Sequence, residues 1–131
     1  MHLVLPARAE VIPCVRRAVE SVAEEARLPR EVLDDVRLAV TEARTNVVRH
    51  AYDSDESAEP EFEIRLEPAP GAMRVIVEDQ GRGLGPSPDA SGPGLGLRLI
   101  AALASRLEVE PGRARGTRLS MCFAAGLGGP A

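Results

Sequence analysis

The chain opens on a short apolar run, HLVLPA, whose pattern predicts an edge strand ended by Pro6. The stretch AEVIPCVRRAVESVAEEARL then places Val11, Cys14, Val15, Ala18, Val19 and Val22 at helical spacing. Pro13 fits such a helix only in its first turn, where its missing N–H breaks no hydrogen bond. In LPREVLDDVRLAVTEARTNVVRHAY the same period returns through Val32, Val36, Ala39, Val40, Ala43 and Val47, with Pro29 near the start. That predicts a second amphipathic helix of about five to six turns. The acidic run DSDESAEPE reads as a solvated connection.

The period then changes from helical to alternating. In EFEIRLEP the apolar Phe62, Ile64 and Leu66 alternate with charged residues, which predicts a half-buried strand. APG is a turn, and AMRVIVED is the second strand of a hairpin. QGRGLGPSPDASGPGLG is a long loop, LGLRLIAALASRL a third helix, and LEVEPG with GTRLSMCF a closing strand pair around PGRARG. The expected organisation is one domain over residues 1–123, followed by a disordered tail, 124–131. The element order predicts an α/β (α+β) two-layer sandwich: a mixed, mostly antiparallel sheet with three helices on one face.

Composition narrows the function. The 131 residues suffice for one core, and with 44% hydrophobic but only 2% aromatic residues that core must be aliphatic. A net charge of -4 with almost no stacking side chains argues against nucleic acid as a direct partner. No apolar run is long enough for a membrane-spanning helix, and MHLVLPARAE lacks the basic and apolar regions of a signal peptide. The expected location is therefore cytoplasmic. Cys14 and Cys122 have no metal-ligand spacing and are expected to be free, buried and inert. All 16 basic residues are arginine. Without lysine there is neither a Walker A loop nor the strand lysine of a eukaryotic-type kinase, so any nucleotide chemistry needs another fold.

Three stretches offer chemistry. In TEARTNVVRH, Glu42 and Asn46 stand four residues apart on one helix face, at the border of the apolar stripe. The amide oxygen of Asn suits Mg²⁺ beside phosphate oxygens, and the carboxylate of Glu accepts a proton from a hydroxyl or water. The same pair also fits an ordinary solvated helix face. In VEDQGRG, Asp79 stands where a strand ends, and Gly81 and Gly83 permit close backbone approach. A carboxylate there accepts a hydrogen bond from an exocyclic amine such as that of adenine. A plain glycine turn has the same composition. In SGPGLGLRLI, Gly92, Gly94 and Gly96 run into a helix start, where free N–H groups and the helix dipole favour an anion. Pro93 removes one donor there.

Taken in order, TEARTNVVRHAY, DQGRG, GPGLGL and the pair Gly116-Thr117 resemble the N box, glycine boxes and closing Gly-Thr of the GHKL (histidine kinase-like ATPase) superfamily. Among its members the short length and the ending RHAY are most similar to the bacterial anti-sigma-factor serine/threonine kinases. The resemblance implies a Bergerat-type ATP-binding fold with ATP and Mg²⁺ as cofactors. It implies Asn46 as the Mg²⁺ ligand, Glu42 as the catalytic base toward a protein serine, and Asp79 as the reader of the adenine amino group. Gly81 and Gly83 would shape the adenine pocket, and Thr117 would support it. Gly92, Gly94 and Gly96, with the backbone of Leu95 and Leu97, would hold phosphates. His50 fits the same pattern without a chemical role.

The function so implied is a regulator that sequesters a sigma factor and phosphorylates a serine or threonine of an anti-sigma-factor antagonist protein. Its partner surfaces would lie on the first helix and nearby strands, and it would be a homodimer. Two alternatives remain open at this point: a non-catalytic partner-binding module of the same fold, and a stand-alone histidine kinase-like ATPase. The connection Leu84–Pro93, the lid over ATP in that superfamily, is short and contains no basic residue.

Overall fold

A computed structural model describes residues 1–6, 8–51, 61–79, 94–112 and 116–125. Strand β1 (His2–Pro6) leads through a 3-10 turn (Ala9–Val11) into α1 (Ile12–Glu25) and α2 (Arg30–Ala51). A hairpin, β2 (Glu61–Ala69) and β3 (Ala72–Asp79), follows. Then come α3 (Gly94–Leu103), β4 (Arg106–Pro111) and β5 (Thr117–Ala124). The expected order of elements is the observed one.

The helices begin and end for local reasons. Pro13 sits in the first turn of α1, as its missing donor requires. At the other end Arg27 adopts φ 60, while Leu28 N donates to Ala23 O at 3.0 Å and Arg27 N to Glu24 O at 3.0 Å. A left-handed residue closing a helix in this way is usually glycine. α3 is shorter than its apolar period suggests. The sequence pattern continues the helix to residue 107, but Ser105 N donates to Cys122 O at 2.8 Å, and Arg106 and Leu107 pair with Cys122 and Met121. The sheet ladder satisfies these backbone groups, so the helix ends early.

The five strands form one sheet in the order β1-β2-β3-β5-β4. Every pairing is antiparallel, so the expected mixed sheet is corrected to a fully antiparallel one among the described residues. The cause lies in the connections. β2 and β3 are joined at Gly71, whose φ of 70 suits a tight turn, and β4 and β5 are joined by a short link; short links make antiparallel neighbours. β5 then inserts between β3 and β4. It also takes in Ala124, and Ala125 N donates to Gly71 O at 2.8 Å, so the sheet runs past the expected boundary at residue 123. Residues 126–131 of the expected tail lie outside the described residues.

One sheet face is apolar and carries all three helices. Phe62, Ile64, Leu66, Val75, Met121 and Phe123 point into it and are at most 2% exposed. Val19 and Val22 of α1, Val36 and Ala39 of α2, and Ile100 of α3 close the core from above. Alternation along each strand sends the other residues to a polar outer face. There His2 Nε2 lies 3.1 Å from Glu63 Oε1, and Arg74 Nη1 lies 3.8 Å from Glu67 Oε1. Cys14 and Cys122 are free but half-buried rather than fully buried. No helix among the described residues is long and apolar enough to cross a membrane.

Candidate functional site

The apolar stripe of α2 (Val36, Ala39, Val40, Ala43) is buried against the sheet, and its two borders differ. On one border Glu42 and Asn46 are half-buried, one turn apart. α3 begins directly against them. A side-chain carbon placed on Gly96 would lie 3.2 Å from Asn46 Oδ1, 3.5 Å from Asn46 Nδ2 and 3.5 Å from Glu42 Oε1. Only a glycine lets the first turn of α3 come this close without pushing the pair aside. The first turn of α3 holds no acidic residue, so its N–H groups and dipole present positive potential beside the pair.

Asn46 Nδ2 is buried and has no hydrogen-bond partner among the described residues. A buried orphan amide is rare in a finished fold, and a ligand oxygen is one partner that would complete its bonding. The donor set also suits a hard cation with phosphates: Asn46 offers the ion a neutral oxygen, and the helix start offers the phosphates amides. The residues present therefore fit a magnesium nucleotide.

The second locus lies where β3 ends. Asp79 is buried and pairs across the ladder with Phe62. Thr117, also buried, opens β5. By alternation with Val77 and Leu119, both residues face the helix-covered side of the sheet. Gly116 stands against Asp79 with φ 87. Motif reading placed Gly116 beside Thr117 but gave it no role. The signal was the Gly-Thr pair itself, whose geometric meaning appears only when β5 is laid beside β3.

Of the expected site residues, Glu42, Asn46 and Gly96 are brought together, as are Asp79 and the Gly116-Thr117 pair. Gly94 and Leu95 lie with Gly96 in the first turn of α3, and Leu97 follows, half-buried, packed against the core. Gly81, Gly83, Gly92, Pro93 and the connection 84–93 lie outside the described residues. His50 falls within α2.

The opposite border of α2 faces α1 across a groove of about 300 Å³. Ile12 and Val15 form part of its apolar lining, and Arg16, Glu20, Arg37 and Arg44 bring charge to it. Arg37 bridges Glu20, and its Nη1 lies 3.3 Å from Asp34 Oδ1. Arg37 Nε and Arg44 Nε are buried without hydrogen-bond partners among the described residues. The groove shares no lining residue with the Glu42–Asn46 pair.

Comparison with known proteins agrees with this geometry. Residues 5–123 match the family described as the histidine kinase-like ATPase domain. A serine-protein kinase RsbW of Halalkalibacterium halodurans is 32% identical over 126 residues, spanning 84% of this chain and 75% of that protein. The serine-protein kinase RsbW of Bacillus subtilis strain 168 is 30% identical over 125 residues, spanning 84% and 77%. A crystal structure of the RsbU and RsbW domains of Rv1364c from Mycobacterium tuberculosis superposes with a TM-score of 0.66 at 23% identity. It covers 95% of this chain and 32% of that longer one, a likeness that shows the fold. By family match and by identity over most of its length, the chain belongs to the ATP-binding histidine kinase-like ATPase domain family, and within it to the serine-protein kinases of the RsbW type.

Proposed function

We propose that the chain is an anti-sigma-factor kinase that binds Mg²⁺–ATP between α2 and α3 and phosphorylates a serine or threonine on an antagonist protein. The observation that carries this reading is the close approach of Gly96 to both Asn46 and Glu42, which leaves no room for a side chain at residue 96 unless the pair gives way. It joins a neutral cation ligand, a carboxylate base and a phosphate-binding helix start at one place.

The nucleotide supplies the phosphoryl group, and its magnesium ion neutralises phosphate charge. The residues do the rest. Asn46 is the protein ligand of the ion, through its amide oxygen. Backbone amides of Gly94, Leu95, Gly96 and Leu97 would bind phosphate oxygens, and the sequence motif adds Gly92 to that set. Glu42 orients the attacking hydroxyl and takes its proton. Asp79 accepts a hydrogen bond from the adenine amino group, with Thr117 behind it and Gly81 and Gly83 shaping the pocket. Phosphoryl transfer demands positioning and charge neutralisation above all, and these groups supply both.

We assign partner contact to the α1–α2 groove. Its apolar lining suits a hydrophobic side chain, and three arginines against one glutamate leave a net charge of +2 (3 − 1) in a chain of net charge -4. An acidic segment of a sigma factor or of the antagonist fits that balance. The groove uses the border of α2 opposite Glu42 and Asn46, so a partner seated there leaves the nucleotide pair accessible. Assembly into a homodimer is part of the same proposal.

Calorimetric titration with ATP, with and without Mg²⁺, tests the reading on the wild type and on Asn46→Ala. Magnesium-dependent binding that disappears in the variant is the expected result. A folded wild type that binds no ATP would overturn it.

A further inference from the structure

We infer that Gly116 is a positioning residue for purine recognition: its missing side chain keeps Asp79 where a carboxylate meets the 6-amino group of adenine. The inference rests on the assignment of Asp79 to the adenine end of the site.

Gly116 precedes β5 with φ 87, a conformation that L side chains rarely adopt. The φ value alone makes glycine convenient at this position, whereas the surroundings make it necessary. A side-chain carbon would lie 2.6 Å from Asp79 Oδ1 and 2.8 Å from the Asp79 carbonyl carbon, and closer still to its carbonyl oxygen. All three approaches are well inside van der Waals contact, which begins at about 3.5 Å for carbon pairs. Two of the three atoms belong to the backbone, so no rotamer change of Asp79 relieves the clash. On its other side Asp79 pairs in register with Phe62 of β2, whose side chain is buried. Asp79 therefore ends β3 with Phe62 as its register partner on one side and Gly116 on the other, its Oδ1 toward the glycine.

Gly71 provides an internal contrast. It has nearly the same φ, 70, but no atom of the described residues lies within 4 Å of a side-chain carbon placed there. Gly71 serves its turn alone, while Gly116 serves its turn and its neighbour. The clash at Gly116 also falls beyond the last registered pair of β3 with β5, Glu78 with Arg118. An added methyl group therefore displaces Asp79 at the end of the ladder and leaves the strand pairing from Ala72 to Glu78 in place.

The test compares the affinity of ATP with that of purine riboside triphosphate, which lacks the 6-amino group. Calorimetry is run on the wild type, Gly116→Ala and Gly71→Ala, each with its thermal midpoint. The expected wild type prefers ATP. Gly116→Ala should weaken ATP about tenfold or more, leave the analogue nearly unchanged, and so abolish the preference. Gly71→Ala should lower the midpoint through the same backbone strain and keep the preference. A wild-type preference that survives intact in folded Gly116→Ala overturns the inference. A wild type with no preference sinks the Asp79 assignment itself, and the inference with it. Should Gly116→Ala not fold, Gly116→Asn replaces it, because Asn tolerates positive φ better than other side chains. If neither folds, the wild-type Gly116 amide resonance decides. Distinct shifts with ATP and with the analogue support the inference, and identical shifts overturn it.

Discussion

Gly96 places the start of α3 so close to Asn46 that a single methyl group would sit 3.2 Å from the asparagine Oδ1. That spacing is tighter than ordinary contact, so Asn46 must give by a few tenths of an ångström when residue 96 gains a side chain. The helix itself benefits from the exchange, since alanine is favoured over glycine by up to about 1 kcal/mol in a helix interior and by less in a first turn. Gly96→Ala is therefore expected to leave the thermal midpoint unchanged or slightly raised. Its ATP affinity should fall about tenfold, or about 1.4 kcal/mol. Opposite signs in the two measurements distinguish a displaced ligand from a damaged fold. Parallel losses would mean that the contact is structural only.

Glu42→Gln keeps the shape and half-buried position of the side chain and removes its basicity. Magnesium-dependent ATP binding should persist within a factor of about three, since the proposed ligand is Asn46. Phosphorylation of the partner protein should fall about 10²–10⁴-fold, the usual contribution of a positioned general base. Single-turnover transfer from labelled ATP measures the second effect, and calorimetry the first. A variant that phosphorylates at the wild-type rate would remove Glu42 from the chemistry.

The parts of this molecule legible in its sequence are those written by short-range periodicity. The alternation of Phe62, Ile64 and Leu66 and the helical spacing from Val32 to Ala43 each follow from burying one face, and both elements lie where that pattern puts them. The end of α3 was not legible, because LASRL continues an apolar helical pattern. A distant strand residue, Cys122, captures Ser105 instead. Sheet order was hidden for the same reason: β5 lies between β3 and β4 through contacts that span dozens of residues. At the site, the Glu42–Asn46 pair could be read from a spacing of four, whereas the approach of Gly96 to that pair and of Gly116 to Asp79 depends on packing between elements.

Arg27 is the one non-glycine residue with positive φ among the described residues, and it is exposed at the end of α1. The left-handed conformation costs an L residue about 1–2 kcal/mol, while glycine gives back about 0.5–1 kcal/mol in unfolded-state entropy. Arg27→Gly should therefore raise stability by about 0.5–1 kcal/mol. Chemical denaturation should show a higher midpoint with an unchanged slope. ATP affinity should stay at the wild-type value, because the substitution lies at the α1–α2 corner rather than at the α2–α3 junction. A lower midpoint would mean that the Arg27 side chain contributes more than its backbone conformation costs.

Arg16 is exposed on α1 and lines the groove opposite Arg37 and Arg44. Arg16→Glu turns three arginines and one glutamate into two of each, so the net charge of the groove falls from +2 to 0. Because the side chain is exposed, fold stability should change by less than about 1 kcal/mol. Calorimetry should return the wild-type ATP affinity, because the groove and the nucleotide pair lie on opposite borders of α2. Binding of the sigma-factor partner, in contrast, should weaken about tenfold or more at low salt. Raising the ionic strength should narrow the gap between wild type and variant, since an exposed charge pair is screened beyond about 8–10 Å at physiological salt. An equal loss at all salt concentrations would point to packing rather than charge in the groove. Unchanged partner binding would move the partner surface away from α1 altogether.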